Sequence, residues 1–110
     1  MITYDDFAKV DMRIGTIVHA EDFPRARNPA YKVKVDFGGD IGIKWSSVQA
    51  KNDYAMDALN GTQVVAIVNF PPKNIAGFMS EVLILGAPAE QGTLSLLTPG
   101  RPAQNGSRIY

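Results

Sequence analysis

Lys32 and Lys34 alternate along one apparent strand, Lys44 lies on the next, and Arg25 and Arg27 occupy the proline-bounded stretch EDFPRARNP. Ammonium and guanidinium groups on a strand face and its neighbouring loop suit contact with successive phosphates. A solvated strand face is the plainer reading of the same lysines. A second chemistry is suggested by NFPPKNIAGFMSEVLILG, Asn69 to Gly86, which holds Ile75, Phe78 and Met79 between Pro71-Pro72 and a resumed apolar strand. Prolines donate no ladder hydrogen bond, so the backbone must leave its sheet there, and Gly77 offers a flexible point before pairing resumes near Ser80. Apolar side chains held out in this way can plug a barrel end, meet a second copy, or grip a ligand. Catalysis has little to draw on. His19 is the only histidine, there is no cysteine, and Asp5, Asp6, Asp11, Asp53 and Asp57 follow no metal-loop or paired-acid spacing. The expectation is a non-enzyme with no metal and no cofactor, with His19 at the surface or an interface.

With 110 residues, the chain is expected to form one domain, 1–110. Hydrophobic residues make up 45% of it and charged ones 20%, enough apolar matter to fold and too much for disorder. The 11 basic residues balance 11 acidic ones, which argues against gripping long nucleic acid by bulk charge, so any phosphate site must be local. The N-terminus, MITYDDFAKVD, has no apolar leader, and no window approaches the roughly 18 apolar residues of a membrane span. A cytoplasmic protein without membrane insertion is expected.

The elements that must position these residues are mostly strands. Thr3 with Asp6 three residues on predicts a capped helix over Tyr4 to Lys9. Met12 to Ala20 reads as a half-buried strand with Gly15 as its bend, and Arg13 within it as a structural ion-pair partner of Asp11 or Glu81. Tyr31, Val33, Val35 and Phe37 alternate with Lys32, Lys34 and Asp36, the clearest period of two. After a Gly38-Gly39-Asp40 turn, Ile41, Ile43 and Trp45 are expected inward and Lys44 outward, beside the other lysines. Ser46 to Gly61 reads as a helix or helical turn. TQVVAIVN and SEVLILG follow as two nearly continuous apolar strands, buried on both faces or closed into a barrel, then a short TLSLLTP strand. The tail, RPAQNGSRIY, ends in an apolar Ile109-Tyr110 that predicts a homodimer, with a strand or extended tail crossing to a second copy and Tyr4 and Phe7 contributing.

Five strands with a helix between the third and fourth describe an all-β protein with short helices, a five-stranded Greek-key barrel of the OB type, dimeric. Asp11-x-Arg13-Ile14-Gly15, Asn69-x-x-Pro72-Lys73, Gly77 and Ser80-Glu81 resemble the tRNA-binding domain of methionyl-tRNA synthetases and free dimeric tRNA-binding proteins. PRARNPAYKVKVDFG, IGIKWSSVQ, VVAIVNFPPKNIAGFMSEVLILG and NGSRI resemble one branch of that family, the CsaA-type export-related chaperones. The resemblance implies a homodimer that binds unfolded secretory precursor proteins, with the export ATPase and tRNA as further candidate partners. Candidate peptide contacts are Phe70, Lys73, Ile75, Phe78, Met79 and Glu81. Candidate tRNA contacts, under the alternative of a tRNA-binding module, are Arg25, Arg27, Lys32, Lys34, Lys44, Lys73 and Ser80. The chain departs from the family pattern at Trp45, Asn74 and Met79, where basic residues are common, and this favours polypeptide over RNA.

Overall fold

The computed structural model describes residues 1–110. Thr3 opens helix α1 (Tyr4–Ala8): its Oγ1 accepts from Asp6 N at 3.2 Å while Asp6 Oδ2 accepts from Thr3 N at 3.0 Å, the reciprocal cap that the spacing predicts. Strand β1 (Met12–Asp22) is long enough to pair antiparallel with both β2 (Tyr31–Asp36) and β4 (Gln63–Ile67). Strand β3 (Ile43–Val48) pairs with β2, and β7 (Leu83–Ile84) with β4, giving the order β3-β2-β1-β4-β7. A single turn of helix, α2 (Met56–Leu59), drops Leu59 into the core between β3 and β4.

The five strands curl into a near-closed antiparallel barrel of the OB type, filled by Ile17, Val33, Val35, Phe37, Leu59 and Val64. Closure joins β3 to residues 80–82 through side chains as well as backbone. Glu81 N donates to Trp45 O at 2.8 Å, Ser47 N donates to Ser80 Oγ at 3.0 Å, and Ser46 Oγ donates to Val82 O at 3.0 Å. Hydroxyls replace ladder partners where the two strands splay apart, and so satisfy an otherwise open edge.

Several sequence expectations hold and several are corrected. β2 alternates as read, with Tyr31, Val33 and Val35 buried, and β4 buries Val64, Val65 and Ala66 in succession. In β1 the irregularity lies between Ile17 and His19, where Val18 is pushed to the surface, and not at Gly15. Gly15 serves close packing instead, because a Cβ there would come within 2.5 Å of Val35 Cγ1. Ser46 to Val48 belong to β3 rather than to the following helix.

The largest correction concerns the facing of β3. Asp36 pairs with Ile43, so the connection includes Phe37 and runs to Gly42, and Lys34 stands opposite Trp45 while Val35 stands opposite Lys44. Since directly paired residues share a face, Trp45 joins Lys32 and Lys34 on the outer face, and Lys44 projects from the core-facing side at the barrel end. The expected continuous strand SEVLILG is also interrupted. Its residues change partner twice, from β5 (Lys73–Ile75) at Ser80, to β4 at Leu83–Ile84, to β9 (Leu94–Leu96) at Gly86–Pro88, the strand β8. Every change of partner breaks the ladder, and Leu83 is left half exposed.

The tail lies along β1 of its own chain instead of crossing away. Gly106 N donates to Ile14 O at 2.7 Å, Ile14 N to Ser107 O at 3.0 Å and Ile109 N to Met12 O at 2.8 Å. Asn105 Oδ1 accepts from Thr16 and Gln63, and Arg108 Nη2 donates to Ala8 O at 2.7 Å, which brings α1 and the tail together. Arg13 ties the same region: its Nε donates to Asp11 Oδ1 at 2.6 Å and its Nη1 to Gly106 O at 3.0 Å. The expected pairing with Asp11 is therefore the one formed. The Arg13 hydrogen bond, with the charges of Arg13 and Arg108 adding to it, holds the Asp11 carboxyl below its ordinary 3.8 against opposing desolvation. A depressed carboxyl pKa contributes stability that is full above the ordinary value and is lost as pH falls through the lower, folded-state value. The melting-temperature difference between the native chain and Asp11→Asn is therefore expected to be constant near neutrality and to shrink below about pH 4. Thermal melts at pH 7 and pH 3 check this.

Candidate ligand grooves beside the β5–β6 ribbon

The residues expected to form an apolar loop fold as a two-stranded ribbon, β5 paired with β6 (Phe78–Ser80). β4 ends at Ile67, Pro71 and Pro72 lie in the stretch that leads away from it, and Asn74 to Met79 then pair around a turn in which Ala76 has φ 50° and Gly77 φ 87°. Two consecutive positive φ values match the twist of a two-residue hairpin, and Asn74 Oδ1 accepts from Gly77 N at 2.8 Å to hold it. Ala76 is strained in this position, since alanine disfavours positive φ. Ala76→Asn is expected to raise stability by about 0.5 to 1 kcal/mol, read as an increased denaturant midpoint at unchanged slope.

The ribbon separates two hollows. The smaller, about 520 Å³, is bordered by Glu21, Lys32, Trp45, Pro72, Phe78, Met79 and Glu81. Its two aromatic residues, Trp45 and Phe78, belong to a longer row of rings set edge to face. Phe23 and Phe78 have centroids 5.3 Å apart, Phe78 and Trp45 5.8 Å, and Trp45 and His19 6.0 Å. Lys32 Nζ lies 4.9 Å from the Phe23 ring centre and 5.1 Å from that of Phe78, and Lys34 Nζ lies 5.0 Å from that of Trp45. The ammonium groups of the two lysines are thus held over π faces that attract them. At the foot of this row, Lys51 Nζ sits 2.6 Å from Asp22 Oδ1, and that hydrogen bond leads in holding the Asp22 carboxyl below its ordinary range. Asp22 Oδ1 also accepts from Phe23 N at 2.9 Å and so fixes the start of the loop that carries Phe23.

The larger hollow, about 820 Å³, lies between the ribbon and the hairpin of β8 and β9. Phe70, Lys73, Ile75 and Leu83 line one side, Leu94 and Leu96 the other, with Asp53 and Glu81 as its carboxylates. Asp53 Oδ2 is tied to Leu94 N at 2.9 Å. Phe70 is 53% exposed and Leu83 47%, so apolar surface faces solvent here rather than filling the core.

The six candidate peptide contacts are thus distributed over two hollows. Phe70, Lys73 and Ile75 line the larger hollow, Phe78 and Met79 the smaller, and Glu81 borders both. Lys32 and Lys34 lie together on the outer face, whereas Lys44 lies on the other side of the sheet. Arg25 and Arg27 are exposed in the loop after β1, free of any carboxylate partner, and border neither hollow. Ser80 is buried, with its hydroxyl engaged by Ser47 and Val82. His19 is exposed, with Nε2 3.1 Å from Glu21 Oε1. Sequence reasoning weighed Trp45 as groove surface but favoured an inward position for it, and it missed Glu21, Leu83 and Asp53. A turn one residue different in parity was the signal for Trp45; for the others the pairing partners lie too far away in the chain to be read locally.

The family described as "Putative tRNA binding domain" matches residues 12–108. Methionine–tRNA ligase of Bacteroides fragilis is 33% identical over 108 residues, 98% of this chain and 16% of that protein. The enzyme of Methanocaldococcus jannaschii is 35% identical over 101 residues, 92% of this chain and 15% of its own length. The chain therefore spans about a sixth of the curated relatives it matches. Two solved structures are alike throughout. The CsaA chaperone protein of Picrophilus torridus is 50% identical with a TM-score of 0.93, covering 100% of both chains. Chaperone CsaA of Bacillus anthracis is 48% identical with a TM-score of 0.91, covering 100% of this chain and 99% of its own. Barrel, ribbon and full-length likeness agree, and the chain belongs to the tRNA-binding domain family, on the branch that holds the CsaA chaperones.

Proposed function

We propose that this chain is a non-catalytic binding protein, a homodimeric chaperone that holds extended segments of unfolded precursor polypeptides in the two hollows flanking the β5–β6 ribbon. The observation that carries the reading is the ribbon itself. A strained turn and a diproline present apolar side chains on both sides, with Phe70, Met79 and Leu83 exposed. Soft and wide apolar surface accepts varied side chains, while Glu21, Lys32 and Lys34 supply charges of both signs to orient a segment. Likeness to two CsaA chaperones over the whole chain supports the same reading. The dimer is supported by Met1, Ile2, Tyr4 and Tyr110, all exposed, at the two chain ends that the Arg108 bond to Ala8 brings together. Mixing the protein with a chemically unfolded enzyme is expected to suppress light scattering at about one dimer per substrate chain, and sedimentation at micromolar concentration is expected to give twice 11.9 kDa. A monomer that leaves scattering unchanged would defeat the proposal.

A second reading, tRNA binding through the outer face, is favoured by the methionine–tRNA ligase relatives and by Lys32, Lys34, Arg25 and Arg27. Its mark is salt: affinity for folded tRNA should fall by about 0.9 log units or less per log unit of salt for each phosphate neutralised. Binding indifferent to salt would remove tRNA as a ligand.

A further inference from the structure

β3 is an outer strand of the sheet, so the peptide groups on its free side need partners. Trp45 finds both on a single residue. Its carbonyl accepts from Glu81 N at 2.8 Å, and its N–H donates to Glu81 Oε1 at 2.9 Å. In a regular antiparallel pair the second bond would go to a main-chain carbonyl; here a carboxylate substitutes for it. The Trp45 side chain in turn meets Phe78 and His19 edge to face and lies under Lys34. A charge-assisted bond to the backbone of the groove's largest aromatic residue is a means of holding it still.

We propose that Glu81 is the positioning residue of the aromatic row. Its carboxylate clamps the backbone of Trp45, fixes the direction from which the indole enters the smaller hollow, and so governs ligand affinity through Trp45 rather than by contact of its own charge with the ligand. This rests on the reading that unfolded segments enter beside Trp45 and Phe78. Removing the acceptor leaves Trp45 N–H without a partner and loosens the strand at that residue alone, and a groove whose supporting contact is lost binds more weakly. An amide oxygen in the same place still accepts the bond, so the charge itself is dispensable.

Trp45 is the only tryptophan, so its emission and near-ultraviolet circular dichroism report this one site. The full chain, Glu81→Gln and Glu81→Ala are compared for both spectra and for binding of reduced, carboxymethylated α-lactalbumin, a permanently unfolded probe. Glu81→Gln is expected to keep the spectra and to hold affinity within about twofold, whereas Glu81→Ala red-shifts emission, flattens the dichroism band and weakens the probe roughly tenfold. Should the alanine variant fail to fold, Glu81→Asp, one methylene shorter and out of reach of Trp45 N, takes its place with the same expectation. Loss of affinity in Glu81→Gln with native spectra would overturn the proposal, since the charge would then be touching the ligand. Native spectra and native affinity in Glu81→Ala would overturn it as well. If the unaltered chain does not bind the probe, the chaperone reading fails, and the spectra alone still decide whether Glu81 positions Trp45.

Discussion

Gly106→Ala is expected to destabilise the protein by about 2 to 4 kcal/mol and to lower its melting temperature by roughly 10 °C or more. Two costs coincide at this residue. Its φ is 87°, which disfavours any side chain, and a Cβ built there would stand 2.6 Å from Phe37 O, a main-chain atom that cannot rotate away. The same residue donates to Ile14 O and accepts from Arg13, so the shift needed to relieve the clash would strip the tail from β1. Gly39→Ala is the control: φ is 47° but nothing lies within 4 Å, so only the backbone cost of about 1 kcal/mol should appear. Equal losses in the two variants would mean that the tail contributes nothing to the barrel.

The second large effect separates Phe78 from Met79. Phe78 is half-buried, packed edge to face on Phe23 and Trp45 and beneath Lys32, so Phe78→Ala should cost about 2 to 3 kcal/mol and should also abolish suppression of aggregation. Met79 is 47% exposed on the rim of the same hollow, so Met79→Ser should leave stability within about 0.5 kcal/mol of native while weakening suppression severalfold. Replacing both residues together, as the sequence alone would recommend for testing an apolar groove wall, would confound packing with binding. If Met79→Ser leaves suppression of aggregation intact, the smaller hollow is not where unfolded chains are held, and the larger one, beside Phe70 and Leu83, is then the place to test.

What the sequence by itself determined was everything carried by local spacing. Thr3 and Asp6 specify a cap because they reach each other within one helical turn. The alternation from Tyr31 to Phe37 specifies a strand with one buried face and the run Val64 to Ala66 one that is buried throughout, whereas the exit from the sheet comes at Ile67–Val68, ahead of the prolines expected to mark it. The order of those elements is enough for an OB-type barrel, and the motifs between Asp11 and Glu81 are enough for the family. Tertiary structure decided what depends on a partner distant in the chain. A period of two says that Ile43 and Trp45 share a face but not which face is inward. That is set by the register against β2, and a connection reaching to Gly42 turned Trp45 out to the lysines and Lys44 away from them. Apolar continuity from Val82 to Leu85 likewise could not show that the segment leaves β6 at Ser80, passes to β4 and then to β9, because each change of partner is a long-range event. The roles of Ser80 and Glu81 were hidden for the same reason: their side chains close the barrel on Trp45 and Ser47, 36 and 33 residues away, and only the curl of the sheet brings those groups within hydrogen-bond distance.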